Sequence, residues 1–289
     1  MGKPLMIQGT ASGVGKTILT TALCRIFRQD GYSVAPFKSQ NMTSNTATLE
    51  TGEELAISQI LQAEAAGIVP CAAMNPIVLK PSPDIKGVQL ILNGKLHDSI
   101  DAYELDKQSL VKEIKKAYEA LSSQYDIIVI EGAGSPVELN LNKDDIVNMG
   151  IAKLAKAPVL LVSDIDRGGV FASLYGTVAL MSEWERSHVK ATIVNRFRGE
   201  VSYFKDGVNI IEEITGVPVA GIVPYIELSL PEEDELGSGS YSRLRTQPEA
   251  LRKESEYTLD SSREDEYDLI ADHVRKSLNM ELIYKILNG

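Results

Sequence analysis

A chain of 289 residues with 44% apolar residues can bury a sizeable core in one large domain or a domain with an appendage. Its formal net charge of −11 argues against gripping nucleic acid along a broad basic surface, while leaving room for a local basic pocket. No leader is read before the first apolar run, and no run reaches the ~18 residues that span a bilayer, so a cytoplasmic protein with neither membrane nor nucleic-acid partner is expected. Cys24 and Cys71 form no metal-ligand or C-x-x-C pattern and read as buried thiols.

Strand-like and helix-like runs alternate along the chain, predicting an α/β fold with a mostly parallel sheet flanked by helices. The run Pro4 to Ile7 leads into Gln8-Gly9-Thr10-Ala11-Ser12-Gly13-Val14-Gly15-Lys16-Thr17, and a helical stretch follows from Ile18 to Phe27. Glycines that turn backbone N–H groups onto an anion, a helix N-terminus, a lysine for the outer phosphates and a hydroxyl for Mg²⁺ make this a phosphate-binding loop. The loop departs from G-x-x-x-x-G-K-[ST] at one place: Thr10 stands where the leading glycine belongs, and Gly9 lies one residue early. Thr10, Gly13, Val14, Gly15, Lys16 and Thr17 are the nucleotide-binding candidates.

A second strand, Ser33 to Phe37, ends at Lys38 and a polar loop that includes Gln40 and Asn41, before a helix expected over Glu53 to Ala66. Segments 76–80 and 88–92 read as strands and 106–122 as a helix. The apolar run Tyr125 to Ile130 reads as a central strand, with Glu131 at its carboxyl tip where P-loop proteins place the acid that meets Mg²⁺ or its water. Ser135 follows in the next loop, and Asp144 and Asp145 precede a helix expected to run to Lys156, with Asp144 the better simple cap. The strand Pro158 to Ser163 ends in Asp164 and Arg167, the latter suited to a phosphate or carboxylate. Ala191 to Val194 ends in Asn195, whose amide carries the donor and acceptor that adenine requires, and Pro218 to Val223 ends at Pro224-Tyr225. Ligands of open α/β sheets sit at such carboxyl tips.

From Met6 to about Asp234 the chain resembles the ATP-dependent synthetase domain of cobyric acid synthases, a dethiobiotin synthetase-like P-loop family. The resemblance rests on QGTASGVGKT, APFKSQNM, QAEAAG, MNPIVLKP, EGAGSPVELNL, DIVNMG, DIDRGGVFASLYGT, NRFRG and LPEED in that order. It implies ATP- and Mg²⁺-dependent amidation of four peripheral carboxylates (b, d, e and g) of adenosylcobyrinic acid a,c-diamide, with ammonia drawn from glutamine. The chemistry is consistent from below: a carboxylate becomes an acylating agent when the γ-phosphoryl group of ATP is transferred to it, which needs phosphate donors, a metal and cations that bring two anions together. Lys16 and Lys38 are the expected catalytic cations, Lys38 bridging γ-phosphate and substrate. Thr17 and Glu131 are the expected metal ligands, with Glu53 a weaker third. Gln40, Asn41, Ser135, Asp164 and Arg167 would line the corrinoid cleft, and Asp145 would act on the corrinoid side.

A full cobyric acid synthase continues past LPEED into a glutamine amidotransferase domain. Here residues 235–264 read as a linker and 265–289 as a helical tail, so a synthetase domain over 1–234 that takes ammonia from a glutaminase domain or subunit outside this chain is expected. A homodimer is implied by analogy with dethiobiotin synthetase relatives. Two alternatives stay open at this point. One is a ligase for another carboxylate, such as a biotin precursor. The other is a MinD/ParA-like ATPase switch, although Ala11 stands where those proteins carry an extra lysine.

Overall fold

The structure, a computed structural model, describes residues 1–81, 88–97, 107–140, 145–227 and 263–289. β1 (Lys3–Gly9) runs through the glycine loop into α1 (Lys16–Gln29), and β2 (Val34–Phe37) is followed by three short strands, β3 (Gln40–Met42), β4 (Thr46–Thr48) and β5 (Glu54–Ala56). α2 (Ile57–Ala66), β6 (Ile77–Pro81), β7 (Val88–Leu92), β8 (Lys95–Leu96), α3 (Lys107–Ser122) and β9 (Ile127–Glu131) complete the first half. The second half comprises α4 (Met149–Ala155), β10 (Val159–Asp164), α5 (Val170–Leu180), α6 (Glu183–His188), β11 (Val189–Phe197), α7 (Lys205–Thr215) and β12 (Val219–Pro224), then α8 (Glu264–Ser277) and α9 (Met280–Asn288).

Six of these strands form one parallel sheet in the order β12-β11-β10-β1-β9-β2. Parallel strands are covered on both faces, which is why β1, β9 and β10 read as near-continuous apolar runs. Leu5 and Ile7 point to a core built with α1, α8 and α9. Met6 points the other way, to a core built with α3, α4, α5 and α7. Burying a large side chain such as Phe27 or Tyr267 in these layers contributes about 1.5–3 kcal/mol apiece relative to exposure. A smaller sheet, β3-β6-β7-β8, and the β4–β5 hairpin stand beside the β2 end and carry the chain from Lys38 to α2.

Two local expectations are corrected. Residues 54–56 pair as a strand with 46–48, so the helix begins at Ile57, not Glu53; hairpin pairing overrides the helical propensity of the Glu-Glu-Leu-Ala stretch. The helix after the Glu131 loop begins only at Met149, because residues 145–148 form a turn around the Asp145 side chain. Asp144 and the linker up to residue 262 lie outside the described residues. The C-terminal helices lie directly on α1: Arg25 pairs with Glu264 and Asp268 at 2.7 Å each, and Arg275 reaches Asp30 at 2.9 Å. Among the described residues no helix is long and apolar enough to cross a membrane.

Candidate active site

The tips of β1, β2, β9, β10 and β11 all lie at one end of the main sheet, and every charged site candidate except Glu53 and Asp145 is at or just past one of them. Gly9 ends β1 with no room for a side chain, since a Cβ there would lie 2.6 Å from Val14 Cγ2 and 2.9 Å from the Ala11 carbonyl oxygen. Thr10 is tied to the neighbouring strand tip, its N–H donating to Val162 O at 2.9 Å and its hydroxyl to Ser163 Oγ at 3.0 Å. This anchoring accounts for a threonine at the position where the shorter loop has glycine. Gly15 adopts φ +90°, and a Cβ on it would collide with Asn195 Nδ2, which donates to Val14 O at 2.8 Å. Asn195 thus braces the loop from the tip of β11.

α1 opens at Lys16 with no side-chain cap and no acid in its first turn, which leaves the positive end of the helix to an anion. Lys16 Nζ donates to Ala11 O at 3.0 Å and Gly134 O at 3.4 Å, linking the phosphate loop to the loop after β9. One residue on, Thr17 Oγ1 donates to Glu131 Oε1 at 2.9 Å. Lys38 Nζ, from the end of β2, meets the same oxygen at 3.0 Å, and Gln62 Nε2 from α2 donates to Oε2. Thr17, Lys38 and Glu131 are therefore brought together. Gln62 is the member that sequence reasoning missed, although it opens the QAEAAG stretch. Glu53 is not part of this group: it sits in the β4–β5 turn, where its carboxylate accepts from Thr51 Oγ1 and the Ala72 N–H.

The loop after β9 is built on Asp145, whose Oδ1 accepts from the N–H groups of Val147 and Asn148 and whose Oδ2 accepts from that of Gly150, all at 2.8–2.9 Å. Asp145 thus holds the turn that leads into α4. Asn148, fixed by this turn, accepts from Ala133 N–H and donates to Ala133 O and Ser135 O, clamping residues 133–135 against the site. Asn148 is a second residue that the sequence reading passed over. Ser135 is buried, its hydroxyl accepting from the Val137 N–H. Gln40 is half-buried at the start of β3, and Asn41 turns inward to donate to Ser58 and Gln59.

The tips of β10 and β11 make a looser group. Asp164 accepts from the Asp166 N–H at 2.7 Å and faces Arg196 at 3.4 Å and the largely exposed Arg167 at 3.7 Å. Arg198 pairs with Asp166 at 2.6 Å and stacks over Tyr225, 3.7 Å from the ring centre. The hydrogen bond from Arg198 holds the Asp166 carboxyl below its ordinary range. Arg196 keeps a left-handed backbone at φ +59°, a conformation uncommon outside glycine and asparagine, directly beside Asn195.

Residues 5–236 match the CobQ/CobB/MinD/ParA nucleotide binding domain. The chain belongs to this CbiA family. The CbiA domain described here is 56% identical over 238 residues to a cobyric acid synthase of Ruminiclostridium cellulolyticum, covering 82% of this chain and 46% of that protein. It is 53% identical over 242 residues to one of Lachnoclostridium phytofermentans, covering 82% and 47%, and 52% identical over 238 residues to one of Listeria monocytogenes, covering 82% and 46%. The chain thus spans about half the length of the curated relatives it matches. Likeness to solved structures is looser: FtsY of Elizabethkingia anophelis in complex with GDP aligns at 19% identity and a TM-score of 0.45, over 81% of this chain and 59% of that one, too distant to carry an argument.

Proposed function

We propose that this CbiA domain is the synthetase part of a cobyric acid synthase, using Mg·ATP to amidate peripheral carboxylates of adenosylcobyrinic acid a,c-diamide in cobalamin biosynthesis. The observation that supports it most is the convergence of Lys16, Thr17, Lys38 and Glu131 at the mouth of an uncapped helix. The residues fit the groups required. A helix start without acid or cap suits phosphates, and one hydroxyl with one carboxylate suits Mg²⁺, which keeps most of its shell as phosphate oxygen and water. Thr17 and Glu131 would hold the cation, which when bound draws charge from the β- and γ-phosphates.

Lys16 then holds the outer phosphates, and Lys38, from the opposite wall, receives the substrate carboxylate beside the γ-phosphate. A carboxylate oxygen attacks γ-phosphorus, the bond to the β–γ bridging oxygen breaks and ADP leaves. Ammonia attacks the resulting acyl phosphate at carbon, phosphate departs with the bonding pair, and the nitrogen loses a proton to give the amide. Asp145 supports this by ordering the 133–135 loop that would face the corrinoid, with Gln40, Asp164 and Arg167 on its flanks. Asn41 and Ser135 are bound inward and shape the wall from behind.

Ammonia must reach this chain ready-made. Its only two cysteines are poor nucleophiles: burial, reinforced by the Glu131 charge, pushes the Cys24 thiol far up, and burial raises that of Cys71. Purified protein given Mg·ATP and the corrinoid diamide is expected to release ADP and form amides with ammonium but not with glutamine. Turnover with diaminopelargonate and none with the corrinoid would reject this assignment in favour of a biotin-type ligase.

A further inference from the structure

The donor that completes Glu131 comes from a helix outside the phosphate-loop machinery. Gln62 is fully buried on α2, and its Nε2 donates to Glu131 Oε2 at 2.5 Å while Thr17 and Lys38 both address Oε1. The carboxylate is held at both ends and cannot turn without breaking one of three hydrogen bonds. Gln62 Oε1 is also buried and has no partner among the described residues. Turning the amide over would not help it, because that would set a carbonyl oxygen against the carboxylate. A long polar side chain with one orphan acceptor is a costly choice at a site that methionine or leucine would fill.

The helix is set to present this amide. One turn earlier, Gln59 accepts from Asn41 Nδ2 at 3.0 Å and Ser58 Oγ at 3.1 Å. Two residues later, Glu64 accepts from the Tyr267 hydroxyl and pairs with Arg263 at 3.3 Å. Polar contacts on both sides of Gln62 therefore fix the rotation of α2, as a supporting shell must if it is to orient a ligand.

We propose that Gln62 is a positioning residue for the metal-binding carboxylate. It locks Glu131 so that Oε1 faces Thr17 and the nucleotide's Mg²⁺, and it offers its own Oε1 to a water in that cation's shell. The proposal rests on the Mg·nucleotide reading of the site.

Calorimetric titration of the whole chain with a non-hydrolysable ATP analogue, with and without Mg²⁺, tests it. Gln62→Met is expected to leave metal-free affinity within about twofold and to cut the Mg²⁺ enhancement about tenfold, equivalent to about 1.4 kcal/mol. In a Glu131→Gln background the same change should cost less than in the wild type, because the share of its effect that passes through Glu131 is already lost. A Mg²⁺ enhancement within about twofold of wild type overturns the proposal, and so does an equal loss with and without the metal, which would mark a packing role. Should the methionine variant fail to fold, Gln62→Leu is read by the same criteria. Wild-type binding that ignores Mg²⁺ would overturn the nucleotide reading and this proposal together, whereas wild-type dependence retained in the variant overturns this proposal alone.

Discussion

The strand tips on either side of β1 carry acids in opposite circumstances. On the β9 side, Glu131 is 1% exposed and receives three donors from three separate elements. On the β10 side Asp164 is also buried and faces the mostly buried Arg196, but its other partner, Arg167, is 72% exposed, and Asp166 pairs with Arg198, which is 56% exposed. A buried carboxylate survives only if its charge is compensated, so the first group is preorganised and intolerant of change. Solvated ion pairs such as Asp166–Arg198 gain little by forming and lose little by parting, so the outer part of the second group, with Arg167, can rearrange around a large, variable anion. Fixed chemistry on one side and adaptable recognition on the other is what an enzyme needs if it must serve several carboxylates of one substrate with one phosphoryl-transfer centre.

The largest expected effect lies on the fixed side. Lys16→Ala should lower ATP-dependent turnover at least a hundredfold, about 2.7 kcal/mol or more, because a cation facing developing phosphate charge in a water-poor site is lost. Steady-state ADP release measures this, and retention of a tenth of wild-type activity would make the two sides energetically alike. Asp145→Asn comes next. The amide has one acceptor oxygen where the carboxylate offers two to three N–H groups, so the 145–150 turn should lose about 1–2 kcal/mol, seen as a lower melting temperature. Amidation should fall or release partly amidated products, while nucleotide affinity stays within about twofold. Loss of Mg·ATP binding with corrinoid binding intact would move Asp145 to the metal side.

Asn195 stands on the border between the two groups. Asn195→Ala should weaken ATP binding by removing the brace on Val14 and should narrow the preference for ATP over GTP if the amide also reads adenine. An unchanged ATP-to-GTP ratio in competition titrations would leave it a brace alone. The smallest effect belongs to Asp166→Asn. Because Arg198 depresses the folded-state pKa of Asp166 below its ordinary 3.8, its stabilising share is present above that pH and vanishes as pH falls through the folded value. Wild-type and variant melting curves should therefore differ slightly near neutrality, less in high salt, and coincide in strong acid. A large gap at neutral pH would show that the exposed group is as rigid as the buried one.

The same division explains what could be read from the chain. Lys16, Thr17, Lys38 and Glu131 could be placed from sequence because each follows an apolar strand run at a fixed place in a βα unit. Gln62 could not, because its partner lies 69 residues away and a glutamine in an alanine-rich helix reads as its solvent side. The part that Asp145 plays in the turn before α4 was not legible, because it depends on which backbone N–H groups gather around one carboxylate. Glu53 was placed on a helix because propensity is local, whereas the hairpin that claims 54–56 is decided by pairing.

The packing of α8 and α9 onto α1 has a consequence for how the molecule is made. Arg25 waits for Asp268, 243 positions further along, and Leu23, Ile26 and Phe27 share their core with Ile270, Val274 and Ile283. At ~5–20 residues per second of synthesis, the helix that follows the phosphate loop stands with an uncovered apolar flank for ten seconds or more before its cover is translated. Contacts of such long sequence separation also form slowly once the chain is free. The nascent chain thus carries an uncovered flank until residues 264–287 have emerged, and holding chaperones that act before then should raise its soluble yield.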